Sequence, residues 1–209
     1  MPLRVGIIED DALLRASVTE ALAARDDIDI VTSASTPRDI ISAAQAGGLD
    51  VALLDVHLGN GPSGFDIAQS LRRISPGLGI VFLSSVRDPR LLGFQPASLP
   101  TGARYLLKSD VSDVGAIEQV LREAAEDSWA RGEQATPRVN LTESQIEILR
   151  LVAQGLSNAE IAKQRVVTER AVEVAVSRLA KNLNLRDTPG LNQRVHIASR
   201  FFSEMGWRP

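Results

Sequence analysis

Val51-Ala52-Leu53-Leu54 is a run of apolar residues without alternation, closed by Asp55. A strand with one wet face alternates apolar and polar residues. An unbroken run bounded by Asp50 before and by Gly59, Gly61 and Gly64 after fits a strand covered on both faces of a parallel sheet. It also puts the Asp55 carboxylate at the carboxyl edge of that sheet, where open α/β sheets bind ligands and do chemistry.

The residues around this strand supply the rest of such a sheet. Leu3, Val5, Ile7 and Ile8 form a first strand that runs into Glu9-Asp10-Asp11. Leu14, Val18 and Leu22 then recur at helical spacing. Ile28 to Ser33 reads as a second strand, and Thr36-Pro37 as the cap and first position of a helix closed by Gly47-Gly48. After the Asp55 strand come a helix over Phe65 to Arg73, a strand Ile80 to Leu83 ending in Ser84-Ser85, and a strand Tyr105 to Leu107 ending in Lys108. Val114, Ile117, Val120 and Leu121 mark a last helix, capped by Ser112 or Asp113. Strand and helix alternate throughout, which predicts a doubly wound five-stranded parallel sheet of the flavodoxin type.

Composition narrows the chemistry. The chain has 209 residues, enough for two small domains, and no cysteine, which excludes disulfides, thiolate metal sites and a cysteine nucleophile. The N-terminal residues lack the apolar length of a signal peptide, and no apolar run reaches the ~18 residues of a membrane span. A cytoplasmic protein with no membrane association is the expectation. Charge is divided: residues 1–137 carry 12 Lys+Arg against 19 Asp+Glu, net −7, and residues 138–209 carry 11 against 7, net +4. An acidic front and a basic back suggest two jobs, the second on a polyanion.

The predicted strand ends carry Glu9, Asp10 and Asp11, then Asp55, Ser84 and Lys108. Carboxylates gathered on one edge repel unless a cation joins them, and hard oxygen ligands suit Mg²⁺. A carboxylate beside Mg²⁺ can attack a phosphoryl group, with Ser84 and Lys108 placed to meet its oxygens. Any one of these residues alone is ordinary solvated surface; their joint placement is not.

Ile7-Ile8-Glu9-Asp10-Asp11, Leu53-Leu54-Asp55-Val56-His57, Val81-Phe82-Leu83-Ser84-Ser85 and Gly102 to Lys108 resemble the receiver domain of bacterial two-component response regulators. The resemblance spans roughly residues 3–127. It implies that Asp55 accepts phosphate and that Glu9, Asp10, Asp55 and the backbone carbonyl of His57 hold Mg²⁺, with Asp10 the direct ligand of the acidic pair. It further implies that Ser84 and Tyr105 are switch residues and Lys108 the conserved-type lysine. The His57 side chain is expected in solvent. Two departures stand out. Gly59 replaces the proline usual four residues after the phosphoacceptor, in a loop longer than the family norm. The stretch from Ser84 to Lys108 is also longer and holds Pro89, Gly93, Pro96 and Pro100. Proline inside a helix costs ~3 kcal/mol, so the helix usual there should be broken or replaced by loop.

Ala130 to Asn140 has no apolar period and reads as a linker, with Trp129 packing the end of the preceding helix. Four short helical signals come next. Thr142 with Gln145 and Ser157 with Glu160 form capping boxes, Thr168 opens a third helix with Val172, Val176, Leu179 and Leu183 inside, and Leu191 to Phe202 is a fourth. Two short helices and a tight turn make a helix-turn-helix pattern. Leu141-Thr142-Glu143 and Leu149 to Ala162 resemble the LuxR-type output domain. The resemblance, over roughly residues 139–203, implies DNA binding as a homodimer, with the Thr168 helix in the major groove and the last helix at the dimer interface. Helical spacing puts Arg170, Glu173, Val174, Ser177, Arg178 and Lys181 on the groove face, with Ser157 and Asn158 at a helix start able to meet the backbone. Where the family often has threonine, lysine and histidine this chain has Ala171, Glu173 and Ala175, so the operator should be an uncommon one. His196 is expected at an interface or exposed.

The expected organisation is a receiver over 1–129, a linker over 130–139 and an all-α helix-turn-helix domain over 140–209. The expected function is a DNA-binding transcriptional regulator, not an enzyme, controlled by a sensor histidine kinase through Asp55. The Pro-rich stretch motivates an alternative, a regulator that is constitutively dimeric or switched by another ligand or protein. An aspartyl-phosphate phosphohydrolase fits worst. That chemistry wants a second acid two residues after the nucleophile, where His57 stands, and has no use for the helix-turn-helix.

Overall fold

The computed structural model describes residues 1–59, 61–86, 88–93, 99–110, 114–126, 140–185 and 192–205. The chain forms two compact units, Met1–Ser85 with Ala97–Thr136, and Val86–Pro96 with Pro137–Pro209. Residues 130–139 of the expected linker, Trp129, Pro96 and the cap at Ser112 or Asp113 lie outside the described residues.

In the first unit five parallel strands, β1 (Leu3–Ile8), β2 (Ile28–Ala34), β3 (Val51–Asp55), β4 (Gly79–Ser84) and β5 (Arg104–Leu107), stand in the order β2-β1-β3-β4-β5. This is the doubly wound flavodoxin-type order. The pattern of burial reflects it. Every residue of β3 and β4 is buried, whereas the edge strand β2 alternates. Helices α1 (Ala12–Ala23), α2 (Arg38–Gln45), α3 (Gly64–Ile74) and α4 (Val114–Glu126) make the crossovers. One face of the sheet, with Val5, Ile7, Leu53, Val81 and Leu83, joins Val18 and Leu22 of α1 and Ile117 and Leu121 of α4 in one core. On the other, Leu54, Ile80 and Phe82 are fully buried, as are Ile40 of α2 and Leu71 of α3. Each such residue contributes ~1.5–3 kcal/mol by leaving water.

Local chemistry sets the helix starts. Asp11 caps α1 by accepting from the Leu13 and Leu14 N–H groups, and Ser63 with Asp66 forms a capping box on α3. The second helix departs from expectation. Pro37 occupies its N-cap rather than its first position, and no side chain caps it.

In the second unit, helices α5 (Glu143–Ala153), α6 (Asn158–Arg165), α7 (Glu169–Asn182) and α8 (Gln193–Glu204) enclose a core of Ile146, Leu149, Val152, Ile161, Val172, Val176, Leu179 and Ile197. Both expected capping boxes form, Thr142 with Gln145 and Ser157 with Glu160. Leu183, expected on the inner stripe of α7, is only partly buried. The unit also takes in a segment from earlier in the chain. Asp88 caps a 3₁₀ turn over Pro89–Leu92, with proline at the first or second position, and Val86 and Leu91 are members of the same core. Among the described residues between β4 and β5 there is no α-helix.

Candidate phosphoacceptor edge and nucleic-acid face

The register of the sheet assembles the edge. Ile8 pairs with Leu54 and Asp55 with Leu83, so Glu9 and Asp55 emerge side by side. Ser84 pairs with Leu107, which places Lys108 one residue beyond. The Lys108 ammonium donates to Glu9 Oε1 at 2.8 Å and stands 3.1 Å from Asp55 Oδ2. Asp55 Oδ1 accepts from the His57 N–H at 3.1 Å, and Glu9 Oε1 from the Asp11 N–H, also at 3.1 Å. Glu9 and Asp55 are each 1% exposed, whereas Asp10 and His57 are exposed. Ser84 is buried at the end of β4. The half-buried Tyr105 ring lies 6.5 Å from that of Phe82, which itself sits 4.5 Å from Phe65.

Two buried carboxylates share one ammonium, and the electrostatics record the shortage. Burial pushes the Glu9 carboxyl up to about 7 against the pull of Lys108. Burial likewise raises the Asp55 carboxyl. It would lower the Lys108 ammonium, but Glu9 and Asp55 outweigh it and hold that group above its ordinary value. Glu9 Oε2 is buried without a hydrogen-bond partner, and Asp55 Oδ2, also buried, faces only the shared Lys108 ammonium. Carboxylate oxygens of Glu9, Asp10 and Asp55 lie within 4.8 Å of one another. Hard carboxylate oxygens gathered in a cluster of this size, one of them orphaned, fit a small divalent cation that prefers oxygen, such as Mg²⁺.

Glycines shape the rim. A Cβ on Gly64 would fall 2.2 Å from the Asp55 carbonyl oxygen, so the start of α3 can lie against the end of β3 only with glycine there. Gly59 has φ +57, which proline cannot adopt, and a Cβ there would face Asp10 Oδ2 at 3.7 Å. The departure from proline therefore has a backbone cause.

In the second unit Thr168 caps α7, and Val172, Val176 and Leu179 are buried while Arg170, Glu173, Val174, Ser177, Arg178 and Lys181 are exposed. The expected groove face is thus one solvated face. Arg170 and Glu173 pair on it at 3.0 Å. Ser157 is engaged in its capping box, its hydroxyl donating to Glu160 Oε2 at 2.8 Å. Asn158 Oδ1 accepts from Arg194 of α8 at 2.6 Å, and Arg194 also donates to the Leu156 carbonyl. Arg194 carried no signal in the sequence, because its partners lie a helix pair away. Val195 and Phe202 of α8, seven residues apart and so on one face, are 64% and 38% exposed, and His196 is partly buried.

No helix among the described residues is long and apolar enough to cross a membrane. Residues 5–108 match the family described as response regulator receiver domain, and residues 139–195 that described as bacterial regulatory proteins, luxR family. The nitrate/nitrite response regulator protein NarP of Escherichia coli (strain K12) is 31% identical over 200 residues, 88% of this chain and 90% of that protein. NarL of the same strain is 32% identical over 201 residues, 88% and 91%. A solved structure of the response regulator RcsB from Salmonella typhimurium superposes with TM-score 0.57 at 17% identity, covering 96% of this chain and 99% of that one. The chain belongs to the two-component response regulators, transcriptional regulators in which a receiver domain is joined to a LuxR-type helix-turn-helix DNA-binding domain.

Proposed function

We propose that Asp55 is the phosphoacceptor, and that its phosphorylation by a sensor histidine kinase controls DNA binding by a homodimer. The observation that carries this reading is the shared edge on which one ammonium, Lys108, serves both buried carboxylates, Glu9 and Asp55, while Glu9 Oε2 lacks a hydrogen-bond partner. The Asp55 carboxylate attacks the phosphorus of a phosphohistidine, the P–N bond breaks, and the imidazole leaves with its electron pair. Lys108 meets one phosphoryl oxygen and the Ser84 hydroxyl another. The His57 N–H holds Asp55 Oδ1 and so fixes the carboxylate plane. Glu9, Asp10, Asp55 and the His57 carbonyl would hold Mg²⁺, whose charge would offset that gathering on the phosphoryl oxygens. Tyr105 reports the position of Ser84 to the surface.

On this reading residues 1–129 are the receiver, 130–139 the linker and 140–209 the output domain of a cytoplasmic regulator that is not an enzyme. Helix α7 enters the major groove of double-stranded DNA with Arg170, Glu173, Ser177, Arg178 and Lys181 on the base and phosphate side, and Ser157 and Asn158 near the backbone. A solved structure of two RcsB dimers bound to two parallel DNAs, similar in fold to this chain, supports DNA binding as a dimer. The exposed Val195 and Phe202 stripe on α8 supplies an apolar face for a second copy.

The test is intact mass after incubation with acetyl phosphate and Mg²⁺, followed by sizing, on wild type and Asp55→Asn. Gain of one phosphoryl group and a move toward dimer by wild type alone is expected. No modification, with both proteins already dimeric, overturns the reading and favours phosphorylation-independent control. The one observation in favour of that second reading is the 3₁₀ turn at Pro89–Leu92 in the stretch where the family has a helix.

A further inference from the structure

Arg194, in the first turn of α8, reaches back to the start of α6 within the second unit. Its own backbone is held, because Asn192 caps α8 by accepting from the Arg194 N–H at 2.9 Å. The guanidinium straddles Ser157, the N-cap of α6. One nitrogen, Nη2, donates to the Leu156 carbonyl, and Nη1 donates to Asn158 Oδ1 at 2.6 Å. Arg194 and Asn158 are both half-buried, which shields the bond between them from water. The chemistry of the pair fixes which way the Asn158 amide points. An amide accepts at its oxygen and donates at its nitrogen, and a guanidinium has donors and no acceptor. Arg194 therefore faces Oδ1, and Nδ2 is the end left free. Among the described residues nothing accepts from that nitrogen. The neighbouring Ser157 hydroxyl has a single proton, and Glu160 Oε2 takes it at 2.8 Å. Of the two side chains at this helix start, only Asn158 keeps a donor.

We infer that Arg194 is a positioning residue for DNA, which holds the Asn158 amide with Nδ2 outward as the donor to a backbone phosphate oxygen. This rests on the proposed placing of Asn158 near the DNA backbone. A phosphate oxygen only accepts, so the end that Arg194 leaves free is the end a phosphate can use. Without Arg194 the amide turns about a broad, roughly two-fold torsion, and half of its orientations present an oxygen to an anion. The Arg194 charge is not what meets the phosphate, since both of its terminal nitrogens are engaged within the unit. A neutral donor neutralises no phosphate and releases no counterion. It adds affinity without adding salt dependence, in contrast to Arg178 or Lys181. It also reads no base, so the contribution is the same on every sequence.

The test is binding of the full chain to a DNA duplex of arbitrary sequence, read by fluorescence anisotropy over a salt series, with thermal unfolding of each variant as the control for folding. Asn158→Ala and Arg194→Ala should each weaken binding about tenfold, the low end for a hydrogen bond to a charged group, with the salt slope unchanged. The double variant should bind no more weakly than either single one, because both remove the same contact. Asn158→Asp keeps the bond to Arg194 but has no donor, and should bind more weakly than Asn158→Ala; binding at wild-type strength overturns the inference. If Asn158→Ala binds like wild type, the placing of Asn158 near the backbone falls and the role of Arg194 with it. If Asn158→Ala weakens binding and Arg194→Ala does not, only the role of Arg194 falls. A salt slope smaller by about 0.9 in Arg194→Ala, with losses that add to those of Asn158→Ala, shows Arg194 meeting a phosphate itself and also overturns the inference. Should Arg194→Ala not fold, Arg194→Met, which keeps the packed stem and removes the donors, takes its place in the same cycle.

Discussion

The two ends of β3 carry carboxylates of opposite character. Asp50, just before the strand, accepts from Arg4 three times, from the backbone N–H at 2.9 Å and from the guanidinium at 3.1 and 2.7 Å. Those bonds hold its carboxyl below the ordinary range. Asp55, five residues on, has one ammonium shared with Glu9, and burial raises its carboxyl. One end is matched and supports the fold. The other is short of positive charge, and folding bears that cost. A site that must receive a cation and a phosphoryl group is built by leaving its anions under-compensated, whereas a site that only anchors chain is saturated.

The sharpest way to break this contrast is to remove the one cation. Lys108→Ala leaves Glu9 and Asp55 buried together and should cost about 3 kcal/mol in denaturant unfolding without Mg²⁺. Glu9, already raised to about 7, can take a proton and keeps the loss near the low end. Saturating Mg²⁺ should restore part of the loss; if it restores none, the carboxylates do not hold the metal. Asp55→Asn works in the opposite direction. It leaves one buried carboxylate to one ammonium, so the metal-free variant should be more stable than wild type by about 1–2 kcal/mol. Tm should rise by about 3–6 °C. A lower Tm would mean that Asp55 is already compensated.

How much of this was legible depends on the range of each signal. Apolar runs and turn residues are local, so the strand positions, the strand ends and the Glu9, Asp55, Ser84, Lys108 edge could be read from the chain. Both capping boxes of the second unit obey a three-residue rule and formed as expected. The pairing of Arg4 with Asp50 bridges 46 residues, and that of Arg90 with Leu141 bridges 51. No short-range pattern carries such distances. Asp88-Pro89 is a legible helix-start signature, and the prolines implied a broken or replaced helix before β5, where the described residues form only a 3₁₀ turn. Nothing local says that Arg90 is buried, since an arginine after a proline reads as solvated loop.

The second unit repeats the contrast at lower stakes. Val166 ends α6 in the left-handed region, φ +55, with its side chain 90% exposed. A β-branched residue there is strained and gains nothing from burial. Val166→Gly should stabilise this unit by about 1 kcal/mol in thermal unfolding. On α7 the side chains are already solvated, so losses should be small and separable. Arg178→Ala should weaken DNA binding by about 1 kcal/mol, roughly fivefold, and lower the salt slope by about one if it meets a phosphate. An unchanged salt slope with altered sequence preference would move Arg178 to a base.

The smallest effect tests the matched end. Asp50 has a folded value below its unfolded one, so between the two the unfolded chain binds more protons. Its contribution is complete above the unfolded value, near pH 4, and is lost as pH falls through the lowered folded one. Asp50→Asn should therefore flatten the acid limb of stability against pH and leave the profile between pH ~6 and ~8 displaced by a constant amount. Both partners are about one-third exposed, 35% and 34%, and solvent screens them, so that displacement should stay below about 1 kcal/mol. A variant as acid-sensitive as wild type would show that Arg4 and Asp50 pair without stabilising, and that β3 is held at both ends by its apolar residues alone.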